Sequence, residues 1–325
     1  MDKNVIKLLA IFTVIVAVIA YVFSIDKKEN SSSKIEESNN VQEKIYGNTV
    51  STASNPENEL NIVTSFYPIY IMTLNVTNGA CNVNVSNMSE NLRGCIHDYT
   101  LSTNDLKKVE NADVFIETGE NLEPFSAKIK STYPNLKIID SGKKASNLIT
   151  SEDGEVNPHI WMSFTNYIDE VNEIADELGK IDEKNKEKYL KNADNYCQKI
   201  KDLSTKFESL GLEGRKTVCL DEGVEYLLKE LGMEVTLIET DHENSALSAD
   251  VVKSMIEQMK EKNVKAIFIE KNSDDKNAQM LAKETGAKIY RIDANMSGDN
   301  TLDSYINAME GNFEILKNYT NNLTK

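Results

Sequence analysis

Residues 216–238 read KTVCLDEGVEYLLKELGMEVTLI and place two short apolar runs on either side of a helical pattern. The runs Thr217–Leu220 and Glu234–Ile238 contain β-branched residues, which are typical of strands. The stretch between them begins at Asp221, a residue type that often starts a helix. A strand, a helix and a second strand in this order predict a parallel βαβ unit.

Similar apolar runs recur along the chain from Leu60 onward. They lie at Asn61–Thr64, Ala112–Ile116, Leu136–Ile139, Ala266–Ile269 and Lys288–Ile292. Helical patterns separate them, and Ser102-x-x-Asp105 is a capping box that opens one of these helices. Between Phe164 and Phe207 the strand signal disappears and apolar residues follow helical spacing. We therefore expect an α/β protein with two lobes, each a parallel sheet flanked by helices, joined by a long rigid helix.

The predicted organisation has five segments. They are an N-terminal signal or membrane anchor (1–24), a flexible polar tether (25–58), an N-lobe (59–163), linking helices (164–209) and a C-lobe (210–325). The tether is assigned because it is rich in Ser, Asn, Lys and Glu and has almost no residues able to build a core.

The first 24 residues have the pattern of an export segment. Lys3 and Lys7 precede the apolar run Leu8–Phe23, and a positive region before an apolar one directs the rest of the chain out of the cytoplasm. Ala17-x-x-Ala20 is a poor cleavage site, which favours a retained anchor over a cleaved signal peptide. In both cases we expect the folded part at the outer face of the cytoplasmic membrane.

The composition excludes one class of partner. A formal net charge of −16 argues against nucleic-acid binding, which depends on clustered Lys and Arg. An acidic surface attracts cations instead. The four cysteines contain no C-x-x-C motif, and the sequence leaves open whether Cys81 and Cys95 form a disulfide or stay as thiols.

The chain contains three histidines. His97 precedes the capped helix and His159 precedes the long helical stretch, in loops at the ends of strand–helix units where open α/β sheets place ligands. Because imidazole is a preferred ligand of zinc and similar ions, both are candidate metal ligands. The alternative for each is an ordinary polar loop residue. For His242, between Asp241 and Glu243, an exposed loop is favoured over an accessory metal-entry role.

Two aspartates occupy equivalent places in the second half of the chain. Asp221 follows the strand Thr217–Leu220, and Asp293 follows the strand that ends at Ile292. Asp221 has a competing interpretation as a helix cap, and Asp293 has one as the start of an Asx turn. Glu222 is an alternative candidate to Asp221.

Several motifs resemble those of the metal-specific solute-binding proteins of ATP-binding-cassette importers for zinc and manganese. The resemblance covers about Glu59 to Tyr319 and has its strongest pieces in Ile96-His-Asp-Tyr99, Leu101-Ser-Thr-Asn-Asp-Leu106, Ala112-Asp-Val-Phe115 and Asn157-Pro-His-Ile-Trp-Met-Ser163. Weaker pieces are Asp182-Glu-Lys-Asn185, Glu225-Tyr-Leu-Leu228 and Lys283-Glu-Thr-Gly-Ala287.

The resemblance implies a set of four metal ligands. Its two histidines fall on His97 and His159, its third position falls on Asp221 and its fourth on Asp293. It also implies Zn2+, with Mn2+ as the alternative, as a transported ligand, and a permease with its ATPase subunit as partners. The expected protein is a monomer that catalyses no reaction and touches the membrane through its N-terminal segment.

The sequence departs from the family in three ways, the first of which is that no lipid-bearing cysteine follows the N-terminal segment, since no cysteine precedes Cys81. Zinc-type members usually have histidine at the third position and manganese-type members have glutamate, so aspartate leaves the metal and the third ligand open. The stretch Ser141–Val156 has no histidine, although many zinc-type members carry a His-rich loop there.

Three other functions compete with metal capture. A metalloenzyme is disfavoured because the chain lacks His-Glu-x-x-His and any other helical pair of histidines. A binding protein for an organic solute would leave the histidines unexplained. A surface adhesin or interaction protein with a structural metal site is the main alternative.

Overall fold

A computed structural model describes residues 59–90, 92, 96–151, 154–238 and 249–323. The predicted anchor (1–24) and tether (25–58), together with Cys95 and His242, lie outside these residues. The pairing of Cys81 with Cys95 therefore stays open. No helix in the described part of the chain is long and apolar enough to cross a membrane.

The N-lobe is built on one parallel sheet. In its described part the strands are β1 (Leu60–Thr64), β2 (Val83–Asn87), β3 (Val114–Glu117) and β4 (Lys137–Asp140), in the spatial order β2-β1-β3-β4. The helices are α1 (Tyr67–Thr77), α2 (Thr103–Glu110) and α3 (Ser126–Thr132). Strand β2 was not predicted, because its asparagines disfavour the strand state and its pairing with β1 at the sheet edge outweighs that preference.

The C-lobe repeats this arrangement. Its described strands are β5 (Lys216–Cys219), β6 (Glu234–Leu237), β7 (Ala266–Glu270) and β8 (Lys288–Ile292), parallel and in the order β6-β5-β7-β8. The link contains α4 (Phe164–Ile181) and α5 (Lys186–Glu208). The helices that follow it are α6 (Glu222–Glu230), α7 (Ala249–Glu261), α8 (Lys276–Thr285) and α9 (Ser304–Leu323). The predicted α/β class with two parallel sheets is confirmed.

Two packed helices form the link between the lobes. They are α4 (Phe164–Ile181) and α5 (Lys186–Glu208), and the 23 residues of α5 span about 35 Å. Helix α4 ends at Ile181, and Asp182 lies in the turn before α5. The Asp182 carboxylate accepts hydrogen bonds from the Asn185 amide and the Tyr189 hydroxyl, both at 2.7 Å. The predicted long helix is thus a helix pair fixed at its turn by a buried carboxylate.

One hydrophobic cluster extends through both lobes, and a second lies within the C-lobe. A continuous cluster of buried side chains includes Phe66 and Trp161 from the N-lobe, Phe207 from α5, and Phe268 and Tyr319 from the C-lobe. Separating the lobes would expose this apolar surface to water, which costs about 25 cal/mol of free energy per Å2 of exposed area. Large opening of the crevice between the lobes is therefore unfavourable.

Polar contacts reinforce the shared core. The Trp161 indole N–H donates to the Ala294 carbonyl at 2.9 Å, which ties the end of the N-lobe to the turn after β8. The Glu230 carboxylate of the C-lobe accepts from the backbone N–H groups of Phe164 and Thr165 at the start of α4, at 2.5 and 2.9 Å. Since a helix start leaves such N–H groups without partners of its own, this carboxylate caps α4 from the other lobe.

Candidate metal-binding site

His97 lies on a short 3-10 helix, Ile96–Asp98, just before α2. The predicted capping box at the start of α2 is confirmed: Ser102 Oγ accepts from the Asp105 N–H, and the Asp105 carboxylate accepts from the Ser102 N–H. The Tyr99 hydroxyl also donates to Asp105 at 2.8 Å. These bonds hold the chain immediately after His97 in place.

His159 lies in the loop before α4, and the fold brings it to His97. The two imidazole rings meet edge to face, with centroids 5.1 Å apart and an interplanar angle of 87°. The His159 side chain is buried, with a relative exposure of 7% for the residue. The structure therefore gathers the two histidines that the sequence singled out, although they are far apart along the chain.

Asn157 orients the His159 ring. Its amide nitrogen donates to the Glu222 carbonyl and to the Glu225 carboxylate, at 3.0 and 3.1 Å. Its oxygen, Oδ1, lies 2.9 Å from His159 Nδ1 and must therefore accept the ring proton. This bond fixes the tautomer with the hydrogen on Nδ1 and the lone pair on Nε2, a common arrangement for a metal-binding histidine.

Burial keeps the His159 imidazole neutral. The apolar surroundings, and secondarily the neighbouring His97, lower the pKa of His159 from 6.5 to about 3. A metal ion binds the neutral form of imidazole, so this ring needs to lose no proton at neutral pH before it can coordinate.

Asp221 caps helix α6. Its Oδ1 accepts from the Gly223 N–H at 3.0 Å, so the interpretation of Asp221 as a helix cap is confirmed. A Cβ atom on Gly223 would lie 3.1 Å from Asp221 Oδ1, 3.4 Å from His159 Cδ2 and 3.8 Å from Ala294 Cβ. The Asp221 carboxylate, the His159 imidazole and Ala294 therefore all lie close to the position that a Cβ atom on residue 223 would occupy, and glycine has no atom there.

Asp293 follows β8 at the carboxyl end of the C-lobe sheet. Its Oδ1 accepts from the Asn295 N–H at 2.9 Å, which confirms the Asx-turn interpretation. Its Oδ2 forms an ion pair with Lys271 Nζ at 3.2 Å. The buried Asn312 amide binds both the N–H and the carbonyl of Asp293, at 2.8 and 2.9 Å, and so fixes its backbone.

Glu270 is a third acid at the same edge of the C-lobe sheet. Burial, and then the nearby carboxylates of Asp221 and Asp293, raise the pKa of Glu270 to about 7. Sequence reasoning missed this residue. It is the last residue of β7 and comes directly after the apolar run Ala266–Ile269 of the sequence, so the same positional rule would have found it.

Glu222, the alternative to Asp221, approaches a different side of His159. Its Oε2 lies 4.0 Å from His159 Nδ1, the ring nitrogen that Asn157 already binds. The structure therefore places Glu222 on the Nδ1 side of the ring.

The structure brings two of the four predicted ligands, the histidines, into contact with each other. In the described residues, no three His, Cys, Asp or Glu side chains are close enough to hold a single ion. The histidines are together, whereas Asp221 is in its cap and Asp293 is in its ion pair. The full ligand set stays a prediction.

Comparison with protein families places this geometry in context. A family model described as "Zinc-uptake complex component A periplasmic" matches residues 62–319. The zinc-binding lipoprotein AdcA of Streptococcus pneumoniae (strain R6) is 28% identical over 288 residues, which cover 81% of this chain and 56% of AdcA. The chain thus spans about half the length of the AdcA relatives. The high-affinity zinc uptake system protein ZnuA of Bacillus subtilis is 27% identical over 301 residues, 83% of this chain and 90% of ZnuA.

A solved structure shares the fold. The laminin-binding protein Lmb of Streptococcus agalactiae, described as bifunctional with adhesin and metal transporting activity, superposes with a TM-score of 0.71. It is 26% identical in sequence, and the match covers 81% of this chain and all of the Lmb chain (100%).

Proposed function

Because the chain belongs to the zinc-uptake complex component A family, we propose that it captures a divalent transition metal outside the cytoplasm and delivers it to an ATP-binding-cassette permease. The cargo is Zn2+, with Mn2+ as the alternative. Two relatives named for zinc, AdcA and ZnuA, support zinc. The protein carries the ion and catalyses no reaction.

The observation that carries this proposal is the geometry of the imidazole pair. An ion ~2.1 Å from one nitrogen of each ring, at a tetrahedral angle, would separate the ring centroids by ~5 Å. The centroids of His97 and His159 are 5.1 Å apart. This separation is close to the value expected when two imidazoles share one zinc ion, and it supports His97 and His159 as ligands of the same ion.

The proposed ligands are His97, His159, Asp221 and Asp293, which close on the ion from the two lobes. Two neutral imidazoles and two carboxylates balance the charge of a divalent ion. Asp221 is preferred to Glu222 because the latter lies on the Nδ1 side of His159, away from the ring nitrogen that carries the lone pair. Nitrogen and oxygen ligands of this kind bind zinc more tightly than manganese.

The partners follow from the family. We propose that the permease and its ATPase subunit receive the ion from a monomer held at the outer face of the membrane by its N-terminal segment. The core shared between the lobes resists wide opening, so release requires contact with the permease.

Metal stoichiometry tests the proposal. Elemental analysis and competition titration with Zn2+ and Mn2+ should give one tightly bound ion for the natural protein and a large loss for His97→Ala/His159→Ala. His242→Ala is the matched control, since it removes a histidine that is not among the proposed ligands. Undiminished one-to-one binding by the double variant would refute the proposed site.

Adhesion is a second candidate, because the structural neighbour Lmb is described as both an adhesin and a metal transporter. A purely structural metal would make folding depend on the ion. The continuous core predicts instead that the chelated protein stays folded. Cooperative thermal unfolding of the protein in EDTA would support capture, and loss of the folded state in EDTA would support a structural metal.

A further inference from the structure

The C-lobe side of the candidate site contains a positive charge of its own. Lys271 follows Glu270 directly at the end of β7, and its ammonium lies 3.2 Å from Asp293 Oδ2. The Asp293 side chain is 23% exposed and the Lys271 side chain is 59% exposed. The lysine therefore reaches a proposed ligand from the solvent side.

The acids around this lysine repel one another. Asp221, Glu270 and Asp293 lie at the carboxyl ends of β5, β7 and β8. Burial raises the pKa of Glu270, and so do the negative charges of Asp221 and Asp293. Like charges this close disfavour ionisation unless a cation offsets them. In the described residues, the ion pair of Lys271 supplies that positive charge to Asp293.

We propose that Lys271 is an internal counter-ion that competes with the metal for the Asp293 carboxylate, weakening metal affinity and speeding release. This inference rests on the proposed function. Binding of the ion breaks the Lys271–Asp293 pair and leaves an ammonium group beside a divalent cation, and both changes are unfavourable. Lys271 is thus a positioning residue that adjusts a ligand without touching the metal.

The backbone on both sides of this pair is held, so the exchange needs side-chain rotation only. Asn312 binds the peptide groups of Asp293, and the Arg291 guanidinium donates to the Lys271 carbonyl at 3.2 Å. The Asp293 carboxylate can therefore exchange the ammonium group for the metal while β7 and β8 stay in place.

The test compares zinc affinity and the rate of zinc loss to a chelator for four full-length proteins: natural, Lys271→Gln, Lys271→Arg and Lys276→Gln. Lys271→Gln should bind zinc about two- to fivefold more tightly and release it more slowly, the size expected when a partly exposed ion pair is removed. Lys271→Arg keeps the charge and should behave as the natural protein does. Lys276→Gln is the matched control, because Lys276 is an exposed lysine that pairs with Asp274, which is not a proposed ligand.

Salt provides a readout that a merely structural role would not affect. The affinity difference between the natural protein and Lys271→Gln should shrink as NaCl rises, because exposed charges are screened. Equal zinc affinity for Lys271→Gln and the natural protein would overturn the inference, and so would an equal gain for Lys276→Gln. The proposed function fails separately, if His97→Ala/His159→Ala binds zinc as the natural protein does.

Discussion

The two lobes contribute to the candidate site in opposite ways. The N-lobe presents two imidazoles already in contact, and its buried ring, His159, is neutral and held by Asn157. The C-lobe presents carboxylates that are bound to other partners, Asp221 in a helix cap and Asp293 in an ion pair. The imidazoles of the N-lobe already lie next to each other, whereas the carboxylates of the C-lobe have other partners that a bound metal would have to replace.

Charge explains this difference. A neutral imidazole with one good hydrogen bond can be buried at small cost, whereas neighbouring carboxylates need a positive charge or N–H groups to offset their repulsion. The N-lobe half can therefore be preorganised in the absence of metal. In the C-lobe half, the Gly223 N–H offsets the charge of Asp221 and the Lys271 ammonium offsets that of Asp293.

The largest change in zinc affinity should come from removing the hydrogen bond that orients His159 in the N-lobe. Asn157→Ala removes the acceptor that fixes the His159 tautomer and should weaken zinc binding about 10–100-fold, the usual cost of losing such a support. Isothermal titration or competition with a zinc indicator measures the change.

Tyr226→Phe is the control for Asn157→Ala. The Tyr226 hydroxyl donates to the Asn157 carbonyl and accepts from the Ile149 N–H, so its loss removes a contact between the lobes without touching the His159 ring. It should lower the free energy of unfolding and leave affinity within a few-fold. Equal affinity losses in both variants would show that lobe contact, and not ring orientation, matters.

The second prediction concerns the pH dependence of stability. The imidazole of the unfolded chain takes up a proton near pH 6.5, but folded His159 does not until about pH 3. Its contribution to stability is therefore complete above pH 6.5 and is lost on acidification. Between pH 8 and pH 5 the metal-free protein should lose about 2 kcal/mol of unfolding free energy from this residue.

Urea unfolding of the natural protein and of His159→Gln, in EDTA at pH 8 and pH 5, isolates this contribution. Glu123 and Glu270, whose pKa values are raised to about 7 mainly by burial, act in the opposite direction, because their stabilising effect is lost as pH rises. They are present in both proteins, so their effect cancels in the difference. The same pH dependence in both proteins would contradict a buried neutral His159.

A smaller effect on zinc affinity is expected from adding a methyl group at Gly223, next to Asp221 and His159. Gly223→Ala places a methyl group within 3.4 Å of Asp221 and His159, so zinc affinity should fall about three- to tenfold. Stability should change by less than about 1 kcal/mol, because alanine favours the helix.

Gly311→Ala is the matched control for Gly223→Ala. Gly311 is a glycine in α9 with no atom within 4 Å of an added Cβ. This change should stabilise the helix and leave zinc affinity unaltered. Unchanged affinity in Gly223→Ala would show that Asp221 and His159 do not converge on the ion.

Much of the fold could be predicted from local patterns. β-branched runs located most of the strands, and the capping box located the start of α2. The pattern failed at β2, where pairing with β1 outweighs the poor strand preference of asparagine. It indicated linking helices over 164–209 but could not show the hydrogen bonds by which Asp182 fixes the turn between them.

The site was predictable in part. His97 and His159 were identifiable from their loop positions and motifs, and Asp221 and Asp293 from their places after strands. Glu270 was missed although the same rule applies to it. Asn157, Asn312 and Lys271 could not be assigned, because each acts through a contact that forms only in the folded chain.

The sequence by itself determined the class of the protein, because strand and helix periodicity and short motifs are properties of neighbouring residues. Tertiary structure decided the rest: that two distant imidazoles meet at 5.1 Å, that burial keeps His159 neutral, and that Lys271 holds Asp293. Distances between remote residues and the local dielectric arise from packing. Local sequence patterns do not encode them directly.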